Sequence, residues 1–349
     1  MTLRHAAALM VALILPPAAS AETVLRYSDH QPLDGMRTTF LSEVFFPAIE
    51  RESQGRLRIE AHWNGEIAAP YDALAAVSQG ADADMATTVP EYTATELPLH
   101  QLFKSFLTGP SGDAQVDLFR RIYQEIPEFT EELDRNNLVP VFLGTGYPVA
   151  FFSSRPMASL ADLEGGTWRS ASFWHLRFLE NAGAQPVRIH WGQAVYDALQ
   201  NGTLDGLMVN VDSGNDLKVY DHAPHVLLSQ SLWLGHLYPV VMNKSTWAAL
   251  PEQDQQAIAR AAAFSYQQLG QVMEQAFADE IQDLTAKGAH LRRLTLAEVD
   301  AFAASTKYAQ VQDDWARTQE AETGLPMRGV LERMRAIIHD AAQHPVPSQ

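Results

Sequence analysis

The chain contains no cysteine among its 349 residues. That single absence removes disulfides, thiolate metal sites and thiol nucleophiles together. It also lacks any apolar run of about eighteen residues, the length a membrane-spanning helix needs. Positive charge is scarce: 25 Lys and Arg stand against 42 Asp and Glu, a formal net charge of −17. Such an acidic chain repels phosphate backbones and anionic lipid, so no nucleic acid and no membrane surface is expected as a partner. His-Glu-x-x-His, Gly-x-Ser-x-Gly and phosphate-cradling glycine loops are missing as well, leaving no recognisable catalytic or metal motif. Low-complexity tracts and short repeats are absent.

What is present begins with Arg4, an apolar run from Ala6 to Leu15, the break Pro16-Pro17 and the small residues Ala19-Ser20-Ala21. This order reads as a secretory signal peptide cleaved after Ala21, too short to span a bilayer. No cysteine follows it, which argues against a lipid anchor. The mature chain is therefore expected in a bacterial periplasm, beginning at Glu22. Removing Arg4 takes the charge from −17 to about −18. The remaining length favours two domains, each able to bury a core.

Strands are expected at Val24–Tyr27, Leu57–Trp63, Ala83–Val89 and Leu138–Leu143. Between them fall helices at Met36–Ser53, with Phe40, Val44, Phe45 and Ile49 on one face, at Tyr71–Gln79 and at Asp113–Glu125. Alternation at these short intervals predicts an α/β domain with a largely parallel sheet. The pattern then restarts, with strands at Val149–Ser153, Gly166–Arg169 and Leu204–Asn210 and helices at Phe173–Ala182 and Gln193–Gln200. Tyr238–Met242 is a strand leading into Lys244–Leu250. Pro251–Ala286 has almost no helix breakers, so one long helix or two end to end is expected to run along both halves. The acidic stretch Glu128–Asp134 reads as an exposed helix, and Glu43, Glu50 and Glu52 as a solvated face.

Arg169 ends one of these strands, after the turn Gly165-Gly166 and before Ser170-Ala171-Ser172, which can open a helix. An arginine so placed can aim its planar fork at a carboxylate beside free helix N–H groups. Ligands of open α/β sheets bind beyond the carboxyl ends of strands. That rule collects His30, Trp63, Glu91 and Tyr92 from the first half. From the second half and the connection it collects Tyr147, Arg169, Ser172, Trp191, Asn210, Trp233 and Tyr238. Trp63, Trp168, Trp174, Trp191 and Trp233, all near strand ends, suggest an aromatic-walled cleft and a monocarboxylate with a hydrophobic or aromatic body. For any one tryptophan taken alone, core packing is the safer reading. His222 and His225 have helical i, i+3 spacing, but Pro224 between them favours a solvated loop over a zinc site. His190, His236 and His290 read as ordinary polar contacts.

Several segments together resemble the solute-binding proteins of tripartite ATP-independent periplasmic (TRAP) transporters, of the DctP type. They are Gly55-Arg-Leu-Arg-Ile, Asn64-Gly65-Glu66-Ile67, Ala76-Val77-Ser78-Gln79-Gly80, Leu160-Ala161-Asp162-Leu163-Glu164-Gly165 with Arg169, and Val195-Tyr196-Asp197-Ala198-Leu199-Gln200 with Gly202 and Asp205-Gly206. Lys218 to Tyr220, Asn243-Lys244-Ser245-Thr246-Trp247 and Leu250-Pro251 continue the order. The resemblance implies a two-lobed α/β periplasmic binding protein fold (type II-like), with a hinge of crossing strands and a long helix bridging both lobes. It places domain I at 22–146 with about 235–275 returning to it. Domain II is then 147–234, with about 276–349 packing on it and across both lobes.

The resemblance further implies that Arg169 grips a substrate carboxylate at two points, as only a guanidinium can, and that Trp191 lines the cleft. The partners implied are a small-molecule carboxylate and the membrane permease subunits of a TRAP transporter; a monomer without cofactor, metal or catalytic residues is expected. Departures from the family pattern are Gln193 with a one-residue insertion, and a usual asparagine position that falls on or next to Val209, with Asn210 open as its replacement. Val149 stands near the position of a second arginine in sialic-acid binders, which disfavours a sugar acid. Two other readings stay open: a binding protein of an ABC-type importer or sensor, and a secreted enzyme acting on organic acids.

Overall fold

The computed structural model describes residues 22–343. The expected signal segment and its cleavage site lie outside the described residues. Two sheets form. The first contains β1 (Thr23–Ser28), β2 (Leu57–His62), β3 (Met85–Thr87), β4 (Leu138–Thr145) and β10 (Leu237–Asn243) in the order β2-β1-β3-β10-β4. The second contains β5 (Val149–Ser153), β6 (Thr167–Arg169), β7 (Gln185–Val187), β8 (Gly206–Asn210), β9 (His225–Leu228) and β11 (His290–Arg293) in the order β11-β9-β5-β8-β6-β7.

Each sheet is largely parallel, as the sequence pattern predicts, with a single strand reversed in each. β1 runs parallel to β2 and β3, but β10 enters antiparallel between β3 and β4. β6 runs parallel to β7 and β8, while β5 enters antiparallel between β8 and β9. The reversed strands are the ones the chain reaches by crossing between lobes. β4 passes directly into β5, and the chain returns from β9 to β10 through Ser229–His236. A crossing strand does not follow a βαβ connection, so nothing constrains it to be parallel. These crossings and the isolated bridge between Thr108 and Leu232 form the joint of the two lobes.

The first lobe buries Leu25, Tyr27, Phe40, Phe45, Ile49 and Phe142 around its sheet. Its first helix is continuous over Met36–Glu52 but widens into a π turn at Leu41–Phe45. Pro47 explains the widening, because its ring would collide with the carbonyl of the preceding turn and it has no N–H to donate there. The second lobe packs Phe151, Trp168, Trp174, Phe178 and Met208 on one side of its sheet and Phe152, Val195, Leu199 and Leu207 on the other.

A single helix spans Glu252–Ala286, thirty-five residues. At 1.5 Å per residue it is about 50 Å long, more than either lobe alone. It touches the helices Phe46–Glu52 and Gly112–Glu125 of the first lobe, then the helix Val211–Asp216 and β11 of the second. The C-terminal helices Leu296–Thr306, Tyr308–Thr323 and Met327–Gln343 form a second strap. Trp315 lies 4.9 Å from Trp174 of the second lobe, while Val330, Leu331 and Met334 pack with Phe119 and Ile122 of the first. The helix Glu128–Arg135 is not an exposed acidic run. Glu132 is buried and accepts from the backbone N–H of Leu99 (2.7 Å) and His100 (3.1 Å), with the His100 Nδ1 at 2.6 Å. Carboxylates are retained in a core only when so fully paired.

Candidate functional site

Arg169 is the last residue of β6, with β7 and β8 on either side of it. The Gly165-Gly166 turn delivers it there; Gly165 adopts a φ of +72°, and a Cβ on Gly166 would sit 2.8 Å from the Trp168 ring nitrogen. The residue is only 1% exposed. Its Nε donates to the Ile189 carbonyl at 2.9 Å, which orients the fork. Its two terminal nitrogens have no hydrogen-bond partner among the described residues, and no carboxylate there pairs with it. Burial holds its pKa down to about 10, against small opposing effects of the Tyr92 and Tyr71 hydroxyls. It stays cationic at neutral pH with two donors uncommitted, facing neither bulk water nor a protein acid.

The surroundings are aromatic and come from both lobes. Trp191 lies under the guanidinium, with its ring 5.1 Å from the Arg169 Cζ and 37% of the residue exposed. Near enough for its hydroxyl to act on Arg169 stands Tyr92, whose ring is 4.4 Å from Tyr71 and 6.2 Å from His30. Tyr71 in turn faces His190 of the second lobe at 5.9 Å, so two rings meet across the mouth. Deeper in, Glu91 forms an ion pair with Lys104, and His236 touches both. Trp233 is edge-on to His175 at 4.0 Å, with the Lys104 ammonium 5.9 Å above its ring. Trp233 adopts a φ of +103°, rare for a large side chain. Ser172 caps the helix Phe173–Asn181 without a side-chain bond to it.

At the floor, Tyr238 stacks on His236 at 5.6 Å and takes a hydrogen bond from or gives one to Asn210, at the end of β8. Arg37 lies 4.9 Å over the Tyr238 ring and is itself held by Asp29 through two bonds of 2.5 and 3.0 Å. Asp29 also accepts from Tyr27 at 2.6 Å. Arg37 beside it and these bonds hold the Asp29 carboxyl below the usual range despite burial. Burial lowers His30 to about 4, so that imidazole is neutral.

The structure thus brings Arg169, Trp191, Ser172, Asn210, His30, Glu91, Tyr92, Trp233 and Tyr238 into one region between the lobes. It does not bring Trp63 there, and it places Tyr147 beyond the floor, in a crevice that Tyr238 and Arg37 also line. Trp63 packs on Tyr27 (5.4 Å) and Phe46 (6.2 Å) in the first-lobe core. Tyr147 is buried against Phe277 and lines, together with Tyr238 and Arg37 of the floor, an acidic crevice with Asp34, Asp212 and Asp216. Trp168 and Trp174 are also core, packed on Phe151 and on Phe173 with Trp315. Of five tryptophans expected as walls, Trp191 and Trp233 lie beside the arginine's surroundings.

Sequence reasoning missed Lys104, His175, Tyr71, His190, His236 and the Asp29–Arg37 pair. Lys104 could have been found, since it interrupts the apolar run Leu102-Phe103-Lys104-Ser105-Phe106-Leu107. A charge in such a run must be paired when buried. Among the described residues no group of three or more His, Asp or Glu is placed to hold a metal ion. His222 rests against Tyr196, and His225 stacks on His290.

This architecture has many counterparts. A TRAP solute-binding protein from Rhodoferax ferrireducens, in complex with copurified benzoate, matches 93% of this chain and 100% of its own, with a TM-score of 0.78 and 21% identity. A marine metagenome TRAP protein specific for aromatic acids, with 3-hydroxybenzoate, matches 92% and 99% at 0.78 and 19%. A Bordetella pertussis receptor binding pyroglutamic acid matches 90% and 100% at 0.73 and 21%. In sequence, a solute-binding protein of Chromohalobacter salexigens is 26% identical over 230 residues, 63% of this chain and 64% of that relative. A Roseobacter denitrificans solute-binding protein is 30% identical over 46% of this chain and 51% of its own. The aligned part therefore spans about two thirds of one curated relative and half of the other. The profile of the bacterial extracellular solute-binding proteins of family 7, DctP, matches residues 35–314, and the chain belongs to that family.

Proposed function

We propose that the protein is a periplasmic receptor that captures an organic acid between its lobes and delivers it to a TRAP-type permease. One observation carries this: a buried guanidinium with two free donors, no protein anion, and aromatic faces beside it. A carboxylate presents two oxygens at the spacing of those donors, and a bidentate pair forms. Removed from water, the pair is stronger than it would be at a surface. Trp191, Tyr92 and Tyr71 favour a flat, apolar body behind the carboxylate. Benzoate, 3-hydroxybenzoate and pyroglutamic acid in structures of the same fold are all compact carboxylates, which supports the reading.

Because the walls come from both lobes, a ligand binds the closed arrangement better than the open one and shifts the population toward it. The permease, the periplasm and the absence of a chemical step follow from the family reading. Titration calorimetry of the mature protein with a panel of aromatic and small aliphatic carboxylates tests it. At least one acid is expected to bind, and Arg169→Ala to weaken it by at least about 100-fold, in line with losing one partner of a buried charge pair. Unchanged affinity in a folded Arg169→Ala protein would remove the assignment.

A further inference from the structure

Beyond the arginine lie four polar atoms that are shut off from solvent and have no hydrogen-bond partner among the described residues. They are Glu91 Oε2, Ser172 Oγ, His175 Nε2 and Trp233 Nε1. Folded proteins leave few such atoms; Glu91, His175 and Trp233 belong to one side-chain knot, and Ser172 caps the helix that carries His175. His175 is edge-on to Trp233, Lys104 lies over Trp233, and Lys104 pairs with Glu91. His175 is also close enough to feel both Lys104 and Arg169, which ties the knot to the carboxylate end. Glu91 and Lys104 belong to the first lobe, Ser172 and His175 to the second, and Trp233 to the segment crossing between them.

The hydrogen-bonding inventory selects the chemistry. Trp233 Nε1 can only donate, and a carboxylate Glu91 Oε2 can only accept. A group that does both is required between them, and Ser172 Oγ or a neutral His175 can add a third contact. Burial, and after it the nearby Lys104, push both His175 and His236 well below the ordinary imidazole range, so neither brings a charge. A second carboxylate on the ligand would meet the Glu91 carboxylate, with Lys104 already committed to it. An ammonium would meet Lys104 and a tryptophan N–H. A hydroxyl donates once, accepts once and carries no charge. We infer that Glu91, Trp233, Ser172 and His175 form a hydroxyl-reading pole, so that the solute is a hydroxylated aromatic monocarboxylate held by Arg169 at its other end.

This rests on the carboxylate reading above, and the test separates the two. Calorimetry compares benzoate, its 2-, 3- and 4-hydroxy derivatives, and isophthalate on the full mature chain. One hydroxy isomer is expected to bind at least about tenfold tighter than benzoate, and isophthalate more weakly than benzoate; a pocket built to bond a hydroxyl discriminates strongly against the analogue lacking it. Trp233→Phe keeps the ring but removes the N–H, and should cut the hydroxy-to-benzoate affinity ratio at least about fivefold. Ser172→Ala, a smaller change, gives the same readout should Trp233→Phe not fold. Benzoate binding as tightly as all three hydroxy acids, or a ratio unmoved in both variants, overturns the pole and leaves the carboxylate reading standing. Failure of every acid to bind overturns both.

Discussion

At the scale of single residues, a side chain matters here for what it leaves unpaired. Arg169 spends one N–H on the Ile189 carbonyl and keeps the rest, and that division of labour makes the fork rigid before a ligand arrives. Lysine would keep the charge but not the fork. Arg169→Lys is therefore expected to retain the fold and lose about tenfold or more in carboxylate affinity by calorimetry, less than the alanine change. Arg169 was legible in sequence because a glycine turn, a short strand and a small-residue helix start converge on it locally. The Glu91–Lys104–His236 contacts were not, since their members lie far apart in sequence and meet only after both lobes have folded. Trp63 erred in the other direction. Being near a strand end says nothing about which face a side chain takes, and an aromatic ring is as welcome in a core as in a cleft.

At the scale of elements, the helix Glu252–Ala286 was the clearest feature of the sequence, and the shortest strands the least. β7 and β9, of three and four residues, are too brief to display an alternation of two, and edge β11 is half exposed along its length. Their existence is decided by the neighbours they pair with. The long helix also depends on one close approach. A Cβ placed on Gly270 would stand 2.2 Å from the backbone nitrogen of Asp113, at the start of the helix Gly112–Glu125. Backbone cannot yield as a flexible side chain can. Gly270→Ala is expected to destabilise the protein by about 1–3 kcal/mol, as overpacking does, despite alanine's better helix propensity. Urea unfolding measures it; a gain in stability would show that the two helices separate at no cost.

At the scale of the whole molecule, buried titratable groups set how stability follows pH. His30, His175 and His236 are held neutral by burial, with folded values below 6.5. As pH falls through about 6.5 the unfolded chain takes up protons that the native state refuses, so stability is present above that pH and lost below it. Asp212 acts oppositely: burial, with Asp216 and Glu280 nearby, raises it to about 7, and its contribution declines as pH rises from about 4 to 7. Asp216 and Glu280, raised by burial, add to that opposing slope, and His225, lowered by burial, adds to the histidines'. Four imidazoles, two of them pushed well down, outweigh three carboxylates, so the melting temperature is expected to climb from pH 5 to 6.5. Asp212→Asn should steepen that climb, because it removes part of the opposing slope. A melting temperature that falls over this range would contradict the burial of the histidines. The meeting of Tyr71 with His190 across the lobes has a kinetic meaning as well. On the reading that a carboxylate sits at Arg169, parting these two rings is an added barrier on the way in and on the way out, so the pair sets speed more than strength. Stopped-flow mixing should find Tyr71→Ala quicker both to fill and to empty, with far less change in equilibrium affinity than in either rate.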